Sequence, residues 1–334
     1  MGFGDLFEKR LIMVTGKGGV GKSTIAAAIA LEAAQRGLHT VLLSIETGDT
    51  LRRMVTSEGR LELPETLFLQ DLQRQDVLDD FVRKLVKVKT LSATILNSPL
   101  YRTLTAVAPG FRELLILNHL FELERKGSAL KRRRRTYDLI VLDAPATGHG
   151  ASYLEVPLAV LKSIKVGPLK ARAQRIRDLL QDSQRCGILL VTLAEEMPVS
   201  EAIEFHERAV EKLRYPILGI LVNAIYPNVL RATGELENLL TMFDDQRFRR
   251  FMRGNYPDSF LKELEEQIRF CCARHHLNQV YRAKLTRCFS EEVIEIPFFA
   301  ALNGTESVCD QVRETLFTSR DETARSMTAM AERL

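Results

Sequence analysis

Short apolar runs alternate along this chain with longer stretches whose apolar residues recur every three or four positions. That alternation predicts βαβ units built on a parallel sheet. Leu11-Ile12-Met13-Val14-Thr15 reads as a buried first strand. Ser23 to Gln35 is Ala-rich and helical, with Gly37 placed to close it. Thr40 to Ser44 reads as a second strand and Leu67 to Asp71 as a short third. Val77, Leu78, Phe81, Val82, Leu85 and Val86 recur at helical spacing, so helices are predicted over about 75–91 and 111–127. Tyr137 to Leu142 is a strand ending at Asp143. Further strands are predicted over Gly187 to Leu193, Ile217 to Val222 and Val293 to Ile296, with helices between them, notably Ser200 to Leu213 and Asp258 to Leu285.

The fold class expected is α/β: a doubly wound, mostly parallel sheet in one domain over residues 1–334. Two regions interrupt the pattern. Residues 75–130 include Pro99, Pro109 and Gly110, and residues 228–290 form a long helical insertion between two strands. Both are expected outside the sheet as a helical cap. The polar tail over 318–334 is expected to be loosely ordered.

Composition changes this picture little. The chain has 334 residues, 46% of them hydrophobic, which is enough for a sizeable core. A net charge of +4 does not imply nucleic acid. The one strong charge run, Lys131-Arg132-Arg133-Arg134-Arg135, precedes a strand and reads as an exposed loop, either solvated or in contact with phosphate, lipid headgroups or a partner. No apolar stretch reaches the 18 or so residues of a transmembrane span. The N-terminus, with Asp5 and Glu8, lacks the apolar core of a secretory signal. Five scattered cysteines fit a reducing, cytoplasmic compartment.

The chemistry concentrates after the first strand. Gly16-Lys17-Gly18-Gly19-Val20-Gly21-Lys22-Ser23-Thr24 matches the phosphate-binding loop pattern in full and opens a helix, where that pattern functions. Its glycines let backbone N–H groups turn inward on phosphate oxygens, and the helix N-terminus adds partial positive charge. Mg-ATP is the expected ligand. Lys22 is placed for the β- and γ-phosphates, Ser23 for Mg²⁺ and Thr24 for the α-phosphate.

Lys17, the second lysine, makes this loop resemble the deviant Walker A motif of the Min-system, nitrogenase-iron-protein and arsenical-pump ATPases. By that resemblance Lys17 acts in trans across a dimer, stabilising charge on the transferred phosphoryl group. Asp143-Ala144-Pro145-Ala146-Thr147-Gly148-His149 resembles switch II of the arsenical-pump and tail-anchored-protein-targeting ATPases, in a bacterial spelling. The resemblance implies that Asp143 holds the Mg²⁺ shell through water and that Gly148 approaches the γ-phosphate. Ala108 to Leu114 resembles the segment before a client-facing helix, and Ala194 to Ala202 a loop after a later strand. Val222-Asn223 resembles the strand end whose Asn recognises adenine, and Ile296-Pro297-Phe298-Phe299 the loop that closes over it. Each of these later segments also has a plain structural reading, as a turn cap or as core.

Switch I departs from the family. Where relatives carry Asp to orient the attacking water, this chain reads Ser44-Ile45-Glu46-Thr47-Gly48-Asp49, which puts Glu46 there, one methylene longer. A carboxylate is kept, so water can still be polarised, with slower hydrolysis as a consequence of altered geometry. Asp49 is a second candidate.

The family resemblance implies an ATP-switched dimer, with itself or with a paralogue, that works on a client or membrane-associated protein. Leu114, Leu115, Ile116, Leu117, Leu120 and Phe121 form an apolar stripe that serves either such a client or the sheet. A metalloid or anion pump subunit is an alternative, but it calls for converging thiolates. Cys271 and Cys272 are adjacent on a helix and so diverge, and no Cys-x-x-Cys occurs. A Min-type positioning ATPase is the third reading, resting on Met327, Met330 and Leu334 in the tail.

Overall fold

The computed structural model describes residues 3–45, 52, 55, 63–72, 111–125, 136–226, 242–299 and 307–317, with backbone alone at 111–112, 147–152 and 168. The predicted helix over 75–91, the segment holding Pro99, Pro109 and Gly110, the basic run over 131–135 and the tail over 318–334 lie outside these residues.

Seven strands form one sheet in which every pairing is parallel: β1 (Leu11–Gly16), β2 (Thr40–Ser44), β3 (Leu67–Asp71), β4 (Leu139–Ala146), β5 (Cys186–Leu193), β6 (Ile217–Ile225) and β7 (Val293–Pro297). Their order is β3-β2-β4-β1-β5-β6-β7. The inner strands are buried at nearly every position, because helices cover both faces. The two edge strands alternate or open to solvent, Val293-Ile294-Glu295-Ile296 most plainly.

One face carries α1 (Lys22–Gln35), with a 3-10 turn at Phe3–Glu8 and a helix over 308–317 laid across it. Every residue from Ile25 to Ala34 is buried, so this helix is apolar all round because it is enclosed all round. Its alanines allow close approach to the sheet. Ile25, Ile29 and Leu31, fully buried, contribute about 2 kcal/mol each from area removed from water. Phe317 stacks on Phe3 and meets Phe7, while Arg313 reaches Glu32 at 3.0 Å, tying the last described helix to α1.

The other face holds α2 (Phe111–Arg125), α3 (Thr147–Ser163), α4 (Pro168–Gln181) and α5 (Glu196–Glu207), the last running into a π turn at Arg208–Leu213. The stripe on α2 belongs to this core: Leu114, Leu115, Ile116, Leu117 and Leu120 are buried and Phe121 packs beside them. Of its two readings, packing against the sheet is the one observed. α2 packs beside α3 and α4 in the core on this face of the sheet, and that packing buries the stripe.

Among the described residues, helices α6 (Gln246–Asn255) and α7 (Asp258–Cys288) precede β7. α6 is capped by Asp245, whose carboxylate accepts from the N–H groups of Arg247 and Phe248, and it has no buried residue. α7 begins exposed, but its second half docks. Leu285 and the following Phe289 enter the core, so α7 is the crossover helix of the β6–β7 unit as well as a projection beyond the sheet. Asn278 fixes the docking point. Its Oδ1 accepts from Tyr226 N–H at 2.9 Å and its Nδ2 donates to the Ala194 carbonyl at 3.2 Å, bridging the ends of β6 and β5. Asn278→Ala would strand both backbone groups in a buried setting. It is expected to cost about 2–3 kcal/mol, read as a lower urea midpoint with unchanged slope.

Candidate nucleotide site

The sheet's C-terminal edge brings the chemistry together, as the order of an open parallel sheet requires. β1 and β4 are neighbours, with Val14 opposite Asp143 and Gly16 opposite Ala146. β2 lies on the far side of β4 and puts Ser44 opposite Asp143. A cleft of about 260 Å³ opens at this edge, lined by Gly18, Gly19, Lys22, Ser23, Ser44 and Asp143 through Ala146.

Within the loop, Gly16, Gly19 and Gly21 have φ of 152°, 83° and 93°. Gly21 caps α1 in the left-handed region, so the chain turns from loop to helix without a side chain in the way. Lys22 folds back and its Nζ donates to the Lys17 carbonyl at 2.9 Å, which holds the ammonium over the loop. Val20 is buried, and its carbonyl accepts from Asn223 Nδ2 at 2.9 Å. Gly18 faces switch II: a Cβ there would lie 3.9 Å from that of Ala146.

Ser23 and Asp143, 120 residues apart in sequence, are joined by a 2.6 Å hydrogen bond from the Ser23 hydroxyl to Asp143 Oδ2. Asp143 is 5% exposed. A hydroxyl and a carboxylate at the base of a glycine-rich cleft form the hard oxygen donor set that suits Mg²⁺ beside phosphates. Thr24 follows in the first turn of α1, where its carbonyl lies 3.9 Å from the Cys309 sulfur.

Lys17 sits elsewhere. Its Nζ is 2.7 Å from Glu201 Oε1 on α5, with both side chains about one-third exposed. Glu201 falls within the segment singled out in the sequence, but its partnership with Lys17 has no sequence signal, because 184 residues separate them.

Asn223, Pro297 and Phe298 lie together at the ends of β6 and β7. Ile225 is opposite Pro297, and Phe298 N–H donates to the Ile225 carbonyl at 2.8 Å. The Phe298 ring stacks on Tyr226 with centroids 4.6 Å apart and planes 8° from parallel. Phe270 meets Tyr226 edge-on, and the Arg274 guanidinium lies 5.2 Å from the same ring while pairing with Glu195 at 2.5 Å. Tyr226, unmarked in the sequence, is therefore the centre of this group. Ala224 adopts φ 55°, which breaks the β6–β7 register just after Asn223.

Glu46 and Asp49 lie outside the described residues, as does the side chain of His149. Ser44 and the buried Ile45 lead the chain out beside Asp143. Among the described residues no group of three or more His, Cys, Asp or Glu is placed to hold a metal ion. Cys186 is buried, and that burial pushes its thiol up to about 12, so at neutral pH it is not the thiolate a metalloid site would need. Among the described residues no helix is long and apolar enough to cross a membrane.

Residues 9–169 match the family described as anion-transporting ATPase. The ATPase BagA of Mycobacterium tuberculosis (strain H37Rv) is 33% identical over 229 residues, which cover 65% of this chain and 66% of that relative. An arsenical pump-driving ATPase of Escherichia coli is 32% identical over 206 residues, 58% of this chain and 31% of its own length. The corresponding protein of Acidiphilium multivorum is 31% identical over 204 residues, with the same two shares. The chain thus spans about two thirds of the mycobacterial protein and about a third of the pump ATPases. The family match starts just before β1 and ends in α4, and together with these relatives it places the chain in the ArsA-like ATPase family.

Proposed function

We propose that this chain hydrolyses ATP with Mg²⁺ in the cleft at the β1–β4 edge and works as a nucleotide-dependent dimer that acts on a client or partner protein. The observation that carries the reading is the Ser23–Asp143 hydrogen bond, which joins the phosphate loop to switch II at the base of the cleft. Backbone N–H groups of Gly18 to Lys22 bind the phosphates, and Lys22 neutralises charge between the β- and γ-positions. Ser23 and, through water, Asp143 would hold Mg²⁺. A divalent cation held there would supply positive charge against the charge that develops on the transferred phosphoryl group. Asn223, Pro297 and Phe298 receive the adenine, with Tyr226 backing the Phe298 ring.

Lys17 is the dimer element of this reading. In the single chain it is tied to Glu201, a partly exposed pair worth roughly 0–1 kcal/mol. Exchanging that partner for a phosphate on the facing subunit is therefore inexpensive, and ATP turnover per chain should rise with protein concentration. The metalloid- or anion-pump reading has no comparable observation behind it.

Glu46 is assigned the positioning of the attacking water. Glu46→Gln is expected to keep ATP affinity within a few-fold while lowering turnover about 10²-fold. Equilibrium binding of a fluorescent ATP analogue and phosphate release, measured on the same preparations, separate the two. A wild-type chain that binds Mg-ATP but releases no phosphate at any protein concentration would overturn the hydrolytic switch.

A further inference from the structure

A second cleft lies at the opposite edge of the sheet, about 20 Å from the phosphate loop by the length of β1. Its volume is about 630 Å³ and it is lined by Arg10, Phe121, Glu124, Arg125, Arg175, Asp178 and Arg185. Arg10 and Arg185 immediately precede β1 and β5, and the Arg10 and Leu11 N–H groups both donate to the Arg185 carbonyl at 2.9 Å. The strand starts therefore hold two guanidiniums side by side. The end of α2 contributes Arg125 and the middle of α4 contributes Arg175.

Glu124 organises the floor. It is 5% exposed, pairs with Arg185 at 2.5 Å and lies 3.9 Å from Arg10. Arg10 also reaches the Asp138 carbonyl at the start of β4. These bonds fix two guanidinium forks in place before any ligand arrives. Asp178, the other carboxylate, is engaged by Gln174 at 2.7 Å and by Arg177. Arg125 lies over the Phe121 ring at 5.4 Å, and among the described residues neither Arg125 nor Arg175 meets a carboxylate. Among the described residues, four guanidiniums against two carboxylates leave the lining net positive, concave and open to water. Its volume falls within the roughly 300–1,000 Å³ of small-molecule sites.

We propose that this cleft, walled by Arg10, Arg125, Arg175 and Arg185, binds a small polyanion bearing two or more phosphate groups, separately from the ATP cleft. Guanidinium forks match phosphate oxygens bidentately, and two of the four are preorganised on a buried carboxylate. Phe121 provides an apolar wall for the body of the ligand. The shared chemistry is a cluster of phosphate esters, either on a free metabolite or on a lipid headgroup.

The test uses inositol hexakisphosphate as the probe, titrated calorimetrically into the full chain with excess Mg-ADP present to occupy the phosphate loop. One-to-one binding is expected, unchanged in Lys22→Ala and weakened at least about tenfold in the double variant Arg125→Gln, Arg175→Gln. Both arginines are exposed, so that variant should keep the wild-type melting temperature and ATP turnover. Co-sedimentation with phosphoinositide-containing vesicles that the same double variant abolishes would assign the headgroup as the source. Binding of the soluble probe without co-sedimentation would assign a free phosphate ester. Probe binding that Mg-ADP or Lys22→Ala abolishes, or that the double variant leaves intact, would overturn the second site and leave the ATPase reading untouched.

Discussion

Lys22→Ala is expected to lower ATP turnover by about 10²–10³-fold while leaving the fold in place. The ammonium is held over the loop by its bond to the Lys17 carbonyl, so it is in position before nucleotide arrives and needs no reorganisation when charge shifts onto the leaving phosphate. Its removal takes away one charge-assisted contact in the ground state, worth about 1.5–3 kcal/mol, and a larger share at the transition state. ATP affinity should therefore fall about 10–100-fold, and turnover at saturating nucleotide should fall further. The fold should survive because Lys22 sits at the first position of α1, where backbone N–H groups have no helical partner and the side chain supports no core. Phosphate release at saturating Mg-ATP, beside urea unfolding of the same protein, checks both halves. A variant that loses stability in step with activity would show that Lys22 holds the loop together rather than serving the phosphates. Lys22→Arg keeps the charge but not the shape of the ammonium, and should recover affinity better than turnover.

The strands and the phosphate loop were legible because both follow from local rules. Buried parallel strands read as continuous apolar runs, and a glycine-rich turn between strand and helix has few other uses. Asp143 was legible because it ends such a run. What pairing does across the sheet was not: Ser23 with Asp143, and Lys17 with Glu201, are contacts between residues 120 and 184 apart. The second half of α7 illustrates a different limit. Its sequence is polar enough to suggest a projection from the sheet, and its first half is one, yet Leu285 and Asn278 are buried because β7 must return beside β6. The α2 stripe was ambiguous for a physical reason, since an apolar face has the same spacing whether a partner or the sheet covers it. The basic cleft was invisible in sequence, as its arginines at 10, 125, 175 and 185 come from four separate elements.

Gly16→Ala should be the most damaging added methyl among the described glycines. At Gly16 a Cβ would stand 2.0 Å from the Val191 carbonyl oxygen and 3.0 Å from its carbon, both backbone atoms of the adjacent β5. β1 and β5 are held in register, Gly16 opposite Val191, by a ladder of parallel pairs starting at Leu11 and Cys186. Relief requires pushing two central strands apart by about 1 Å, against a spacing that hydrogen bonding fixes near 4.8 Å. The φ of 152° adds strain for any side chain. Together these should cost about 3–5 kcal/mol, a large fraction of a typical 5–15 kcal/mol stability. Two glycines serve as controls. Gly37, with φ 84° and open space around it, should cost only about 1 kcal/mol on substitution by Ala. Gly21, with φ 93°, would direct its Cβ to within 2.2 Å of Asn223 Nδ2, the tip of a side chain that can move. Its Ala variant should stay folded yet lose the Asn223–Val20 bond and, with it, nucleotide affinity. Urea midpoints for the three variants, read by circular dichroism, should fall furthest for Gly16→Ala and least for Gly37→Ala. A Gly16→Ala midpoint no lower than that of Gly37→Ala would mean that the loop does not lie against β5, and the geometry of the whole phosphate site would fall with it.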